Sequence, residues 1–283
     1  MTISRRQCMA RGASLATTLA ATYAADPLAA RSVKAKPIGI QLYTVRDMFT
    51  ADPMGTLEKV AAIGYREVEF GGGGYEKLDH AALRKAMDRL GLKCPSLHIG
   101  YDALRSDFAG SVRMARTLGA DTVVLPWMAP EMRTFSRWRD ALANFNLWSR
   151  DLKAQGLGFA YHNHDFEFTQ KSDGRSMFDM LVSDTNPDLV RIELDLFWVT
   201  AAGEQPKAVI RRLPGRVYAY HVKDRTADGK MTSVGAGTID FADIFTLNHF
   251  AGVKHFYVEN DQSPAPYLPD ITASFAALSR LRV

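Results

Sequence analysis

The stretch VYAYHVKD, Val217 to Asp224, is apolar and aromatic until it ends abruptly in His221, Lys223 and Asp224. A short run of this composition reads as a buried strand, and its charged end as an exit into a polar space. Three other runs share the pattern: GFAYHNH from Gly158, VRIELDLFWV from Val190 and HFYVEND from His255. Four earlier runs complete the set: PIGIQLY from Pro37, REVEF from Arg66, CPSLHIG from Cys94 and DTVVLPW from Asp121. Helix-like segments separate them. One is capped by Asp52, with Pro53 at its first position and Gly64 at its end. Others run from about Asp79 to Leu90, up to Gly119, and from about Thr134 to Gln155, where Gly156 stops the chain. Regular β-then-α alternation implies parallel strands joined by helical crossovers. Eight such units in about 250 residues match a closed, single-domain (β/α)8 TIM barrel. A doubly wound open sheet is the alternative, but no GxGxxG follows the first strand, and Gly71 to Gly74 form a loop without a phosphate-binding lysine.

The first thirty residues read as a leader. Ser4-Arg5-Arg6-Gln7 opens a twin-arginine export signal. The run that follows, ASLATTLAATYAA from Ala13 to Ala25, is too short and too rich in Ala and Thr to span a membrane, which takes about 20 strongly apolar residues. Cleavage is expected between Ala25 and Ala30, so that 1–30 is the signal and 31–283 the barrel. The expected location is the periplasm, with the twin-arginine machinery as export partner and no stable membrane insertion. The chain carries 35 Lys and Arg against 31 Asp and Glu; without Arg5, Arg6, Arg11 and Asp26 the balance is 32 to 30. Charge that even argues against nucleic acid as a partner. Cys8 leaves with the leader, so Cys94 has no partner for an internal disulfide and the fold relies on its core. Homo-oligomerisation is left open.

In such a barrel the site lies at the C-terminal ends of the strands. Strands 1 to 4 offer Gln41 and Tyr43, Glu69, His98 and Trp127 there. Strand 5 offers His162 and His164, then Glu167; strand 6 offers Glu193 and Asp195, with Trp198 beyond. Strand 7 offers His221, Lys223 and Asp224, and strand 8 Glu259 and Asp261. A lone strand-end histidine is more often a hydrogen-bonded core residue than a ligand. Four adjacent strands ending in His, Asp and Glu are different, because carboxylates crowded into a barrel mouth repel one another and lose hydration. A divalent cation relieves that conflict. Mixed carboxylate and imidazole donors suit Mn²⁺, Co²⁺, Zn²⁺ or Mg²⁺, not a thiolate-type structural zinc.

The motifs YHNHDFEF (Tyr161 to Phe168), ELDLFWV (Glu193 to Val199), YHVKD (Tyr220 to Asp224), VGAGTIDF (Val234 to Phe241) and YVEND (Tyr257 to Asp261) occur in this order. Together with GIQLYTVRD, Gly39 to Asp47, they resemble the sugar phosphate isomerase/epimerase family. That family belongs to the xylose isomerase-like barrels, alongside tagatose and psicose 3-epimerases, inosose dehydratases and endonuclease IV. The resemblance implies one metal ion held by a Glu, an Asp, a His and a second Glu from strands 5 to 8. Carried onto this chain, the last three are Asp195, His221 and Glu259. His162 occupies the usual position of the first, a departure from the epimerase pattern. Glu167, five residues on, is taken as that ligand on a loop that turns back. His162 and His164 share a strand face and compete with it, so the strand-5 ligand stays open among the three.

Isomerisation, epimerisation and β-elimination of sugars all remove a proton next to a carbonyl, and a bound divalent ion stabilises the enediolate that results. A well-placed acid or base contributes about 10²–10⁴-fold. Glu167 and Glu259 are the expected pair for epimerisation, and His164 or His98 the expected acid for elimination. Lys223 either hydrogen-bonds a substrate oxygen or pairs with Glu193 or Glu259. Glu69, His98 and His162 are expected to face substrate, Glu69 alternatively pairing with Arg46 or Arg66. Trp127 and Trp198 either wall a sugar ring or fill the core. VGAGTIDF reads as a Gly-rich turn entering a helix. Export, and the lack of an Arg/Lys cluster with a glycine nest at the late strand ends, argue against phosphorylated sugars. The expected activity is a metal-dependent isomerase or epimerase of a non-phosphorylated sugar or keto-sugar. A lyase or dehydratase acting on a 3-keto glycoside or inosose comes second. A periplasmic sugar-binding protein that keeps the ion without turnover is the alternative of another class.

Overall fold

The computed structural model describes residues 36–281; the expected leader, with its twin arginines, lies outside them. Eight strands alternate with helices: β1 (Gly39–Gln41), β2 (Glu67–Glu69), β3 (Ser96–His98), β4 (Thr122–Leu125), β5 (Gly158–His162), β6 (Val190–Asp195), β7 (Val217–Val222) and β8 (His255–Val258). They pair in parallel in the order β2-β1-β8-β7-β6-β5-β4-β3. The ring closes between β2 and β3 through the bridges Glu67–Lys93 and Phe70–Leu97, with Val68 N donating to Lys93 O at 2.8 Å and His98 N to Phe70 O at 2.8 Å. The (β/α)8 barrel expected from the sequence is the fold observed.

The register decides what faces the axis. Gln41 pairs with Glu69, His162 with Glu193, Asp195 with His221, and Tyr257 with His221. Side chains alternate along a strand, so Glu69, His98, His162, Glu193, Asp195, His221, Lys223 and Glu259 all fall on the inward face. Between them, Leu194, Tyr220, Phe256 and Val258 are buried on the other face, where Tyr220 and Phe256 pack on Phe245 of the helix Phe241–Phe245. A register shift between Ile192 and Glu193 keeps β6 in step with β7, a device common beside functional sites. Inside the ring Gly39 is required by close approach, because a Cβ there would lie 2.5 Å from the Tyr257 ring.

The helices start and stop where cap chemistry dictates. Asp52 accepts from Gly55 N ahead of the helix Pro53–Ile63, Thr134 caps Phe135–Ala154, and Gly64 ends the first of these with φ 125°. Gly72, Gly73 and Gly74 take φ of 70°, 66° and 73°, a turn that brings Tyr75 to donate its hydroxyl to His98 O at 2.5 Å. Asp224 is corrected from strand-end candidate to loop organiser. Its carboxylate accepts from Gly235 N at 2.8 Å, Gly237 N at 3.0 Å and Ile239 N at 3.2 Å. VGAGTIDF is thus the expected turn, built around that carboxylate and leading to Asp240, which caps Phe241–Phe245. The C-terminal helix Leu268–Arg280 covers the entry to β2, where Tyr65 donates to Ile271 O at 2.7 Å and stacks edge-on with Phe275.

Candidate metal centre

At the C-terminal ends of β5 to β8, His162, Asp195, His221 and Glu259 each bring one donor atom to within 4.8 Å of the others, and all four are buried. Asp195 arrives there because it ends β6 and starts the helix Leu196–Ala201. Its Oδ1 caps that helix by accepting from Trp198 N at 2.9 Å, and its own N donates to Asn163 Oδ1 at 2.9 Å. Oδ2 is left for the cluster, 3.0 Å from Lys223 Nζ but without an aligned hydrogen bond. His221 Nδ1 lies 2.6 Å from Glu259 Oε2, and His162 Nε2 lies 3.7 Å from Asp195 Oδ2. Lys223 Nζ also reaches Glu259 Oε2 at 2.8 Å and Asp261 Oδ1 at 3.0 Å. Its expected partner Glu259 is confirmed; Glu193 is replaced by Asp195 and Asp261.

One layer deeper, Glu69 and Glu193 face the same imidazoles. His221 Nε2 is 2.8 Å from Glu69 Oε2 and 2.9 Å from Glu193 Oε2; His98 Nε2 is 3.1 Å and 2.9 Å from the same two atoms. Gln41 and Ser96 complete the shell of Glu69. Arg46 and Arg66 take no part: each donates to backbone carbonyls instead, which corrects the expected ion pair. Glu69 is fully buried behind His98 and His221 and does not line the cavity, so the expected contact with substrate is not what the structure provides.

Burial and neighbouring charge set the protonation states. Burial alone would lower His98, but Glu69 and Glu193 push it up to about 9. His221 behaves likewise, held well above its ordinary value against burial by Glu193 and Glu259. His162 and His164 go the other way. Burial, helped by His221 and His164, holds His162 well below the ordinary range; burial and Lys223 bring His164 down to about 3. Burial would raise Glu259, but Lys223 and His221 hold it well below the usual carboxylate range. Burial pushes Asp261 up to about 6.

A cavity of about 460 Å³ opens onto this cluster, its inner wall formed by His98, His162, His164, Lys223, Glu259 and Asp261. Trp127 and Tyr43 stand at its rim, 44% and 39% exposed, so Trp127 is not core. Trp198 is half-buried, its ring 5.3 Å from that of His164. The structure does not bring Glu167 to the cluster. It lies on the short helix Phe166–Thr169, fully buried, with Tyr161 OH donating to one oxygen at 2.5 Å and His164 N to the other at 2.8 Å. His162 stands in its place. Asp261, an inward neighbour of Glu259 by the period of two, and Glu193, which shares a strand face with Asp195, are strand-end residues to which the sequence reading gave no catalytic, substrate or metal role.

The donor chemistry fits a divalent cation. Two carboxylates and two imidazoles converge, His162 is held neutral, and Asp195 Oδ2 and His162 Nδ1 are buried without a hydrogen-bond partner among the described residues. A parallel barrel with such a cluster and a small cavity at its C-terminal mouth is a TIM barrel with a candidate divalent-metal site. The chain belongs to the xylose isomerase-like TIM barrel family, whose model matches residues 57–272. It is 26% identical over 275 residues to an inosose dehydratase of Clostridium beijerinckii, covering 81% of this chain and 89% of that protein. The fold matches a sugar phosphate isomerase/epimerase from Parabacteroides distasonis with a TM-score of 0.74 at 23% identity, covering 86% of this chain and 93% of that one. It also matches the IOLI protein, solved with a bound zinc atom, with a TM-score of 0.66 at 17% identity, covering 86% of this chain and 94% of that one.

Proposed function

We propose that the chain is a divalent-metal-dependent lyase of the dehydratase kind. It takes a proton from the carbon next to the carbonyl of a non-phosphorylated keto-sugar or inosose and expels the β-hydroxyl as water. The carrying observation is the asymmetry of the mouth. Glu259 lines the cavity beside Lys223 and Asp261, while Glu167, the second carboxylate that a two-base epimerase would use, is bound to Tyr161 and the His164 backbone. The likeness to an inosose dehydratase over most of both chains supports the same reading.

An ion held by His162, Asp195, His221 and Glu259 would polarise the carbonyl and stabilise the negative charge left by the departing proton. Glu259 takes that proton. Both its short contacts, to His221 and Lys223, fall on Oε2, which leaves Oε1 to the substrate. The C–H electron pair forms the new double bond, the β C–O bond breaks, and the oxygen leaves as water with a proton delivered through the Lys223–Asp261 pair. His164, Trp198 and Trp127 orient the ring and exclude water.

One observation favours an isomerase or epimerase as the second reading: His164 Nδ1 is buried at the cavity wall with no partner among the described residues, available as a second proton acceptor. A panel of free ketoses, inososes and 3-keto glycosides incubated in D₂O with Mn²⁺ and followed by NMR separates the two. Loss of water, abolished by EDTA and by Glu259→Gln, supports the dehydratase. Deuterium at a carbon of inverted configuration, without loss of water, moves the assignment to epimerase. Tight binding with no exchange indicates a binding protein. We further take the chain to work outside the cytoplasm after twin-arginine export; a double Lys substitution of Arg5 and Arg6 that leaves the exported fraction unchanged would refute this.

A further inference from the structure

Lys223 and Glu259 face the mouth from neighbouring strand ends, Nζ and Oε2 2.8 Å apart. The pairing of Val222 with Val258 sets them level, with Glu259 N donating to Val222 O at 3.3 Å. The residue after each, Asp224 and Asn260, therefore turns away from the axis. Both are buried behind the site, 1% and 4% exposed. The Asp224 carboxylate accepts from Arg225 N at 2.8 Å and from the three amides of the loop at 235–239. The start of that loop is tied to Asn260. Ser233 Oγ donates to Asp270 Oδ1 at 2.5 Å, and Asn260 Nδ2 donates to Asp270 Oδ2 at 3.0 Å. Val234 N adds a bond to Ser274 Oγ at 3.0 Å, one turn along the helix Leu268–Arg280. A continuous path thus runs from Lys223 through Asp224, the loop, Ser233, Asp270 and Asn260 to Glu259.

That path buries two carboxylates, Asp224 and Asp270, on hydrogen bonds from amides and hydroxyls. Apolar side chains would fill the same space without desolvating charge. Hydrogen bonds supply direction, which packing does not, and a satisfied polar network rigidifies what it joins. We propose that Asp224, Ser233, Asp270 and Asn260 are positioning residues that hold Lys223 against Glu259 from behind the site. The inference rests on the reaction proposed above, in which Glu259 takes the proton and Lys223 serves the leaving oxygen. Asp224 and Asn260 are covalently next to those two groups, so a shift of either backbone passes directly to a reacting side chain. A misplacement of about 1 Å costs about 10²-fold in rate. The links act in series: cutting the path at Ser233 or at Asn260 frees the same two strand ends.

Ser233→Ala, Asn260→Ala and the double variant, each loaded with Mn²⁺, separate positioning from plain stability. Each single variant is expected to lower kcat by at least about tenfold, with KM within about twofold and bound metal unchanged. The double variant is expected to lose no more than either single one, since a severed path cannot be severed again. Asp270→Asn keeps an acceptor for Asn260 and a partner for the Ser233 hydroxyl, which can donate or accept, and is expected within about threefold of wild type. Crystal structures of the wild type and Ser233→Ala give the second readout: the separation of Lys223 Nζ from Glu259 Oε2 should lengthen beyond about 3.2 Å in the variant. Additive losses in the double variant, or kcat unchanged in both single variants while Tm falls, overturn the proposal. An unchanged Lys223–Glu259 contact in Ser233→Ala overturns it as well. A wild type that turns over no keto-sugar refutes the reaction instead, and the crystallographic separation then decides the path by itself.

Discussion

At the N-terminal end of the strands a cleft of about 540 Å³ is lined by Glu67, Arg84, Asp88, Cys94, Asp121 and His255; the cavity at the C-terminal end, about 460 Å³, is lined by His98, His162, His164, Lys223, Glu259 and Asp261. Size and polarity barely separate the two. The pairing of charge does. In the lower cleft His255 Nδ1 meets Glu67 at 2.9 Å, Arg84 meets Asp88 at 2.8 Å on the surface, and Asp121 accepts from Thr122 Oγ1 at 2.7 Å. Glu67, His255, Arg84, Asp88 and Asp121 each have a partner of their own there. At the mouth a lysine spans three carboxylates, imidazoles are shared between two more, and buried oxygens and nitrogens go without hydrogen bonds. Buried polar atoms left unpaired are costly, and a fold keeps them where a ligand supplies the missing partner.

This contrast breaks most directly by mutation at both ends. Glu259→Gln and His221→Asn should lower kcat by about 10³ or more, while Glu67→Gln at the lower end leaves it within about twofold, as measured by water loss or deuterium exchange. Comparable losses at both ends would show that charge pairing does not mark the working end. Next is the response to metal. A divalent ion at about 100 times its Kd should stabilise the chain by about 2.7 kcal/mol, seen as a higher Tm in thermal melts. EDTA should reverse the shift, which Glu67→Gln should leave untouched.

Glu167 sharpens the comparison from inside the mouth, since it is buried there without serving the cluster. Burial pushes its carboxyl up to about 8 from an ordinary 4.5. The folded value is raised above the unfolded one, so the stability this group contributes is fully present below about pH 4.5 and lost as pH rises through about 8. In metal-free protein, Glu167→Gln should flatten that decline by up to about 5 kcal/mol across the window; equal pH slopes in the two proteins would rule it out. The smallest effect belongs to the lower end. Arg84→Ala should change stability by less than about 0.5 kcal/mol, because the pair with Asp88 is solvent-exposed. Cys94 lies in the same cleft with its thiol pushed up by burial, and should stay unreactive toward thiol reagents until the chain unfolds.

The barrel was legible in runs such as VYAYHVKD and VRIELDLFWV because strands covered on both faces are continuously apolar, and in caps such as Asp52 and Thr134 because a helix end needs a local acceptor. Asp195, His221 and Glu259 were legible as strand-end residues, since a parallel barrel puts every strand end in one mouth. Glu193 was within reach of the same logic, being two residues before Asp195, but a glutamate inside an apolar strand invites a supporting role. The partners of Glu69 were not legible. Arg46 and Arg66 are near it in sequence, whereas His98 and His221 meet it only through the closure of the ring.

The amino-acid order by itself determined the alternation of strands and helices, the caps, and which side chains would share the inward face, because these follow from periods of two and 3.6 and from bonds within a few residues. Which donors actually meet was decided by tertiary structure. Glu167 and His162 are five residues apart and chemically equal candidates, and the direction of one four-residue helix sends the carboxylate to Tyr161 while the strand carries the imidazole to Asp195 and His221. That direction is set by packing across the barrel, where contacts between residues far apart in the chain outweigh anything their spacing dictates.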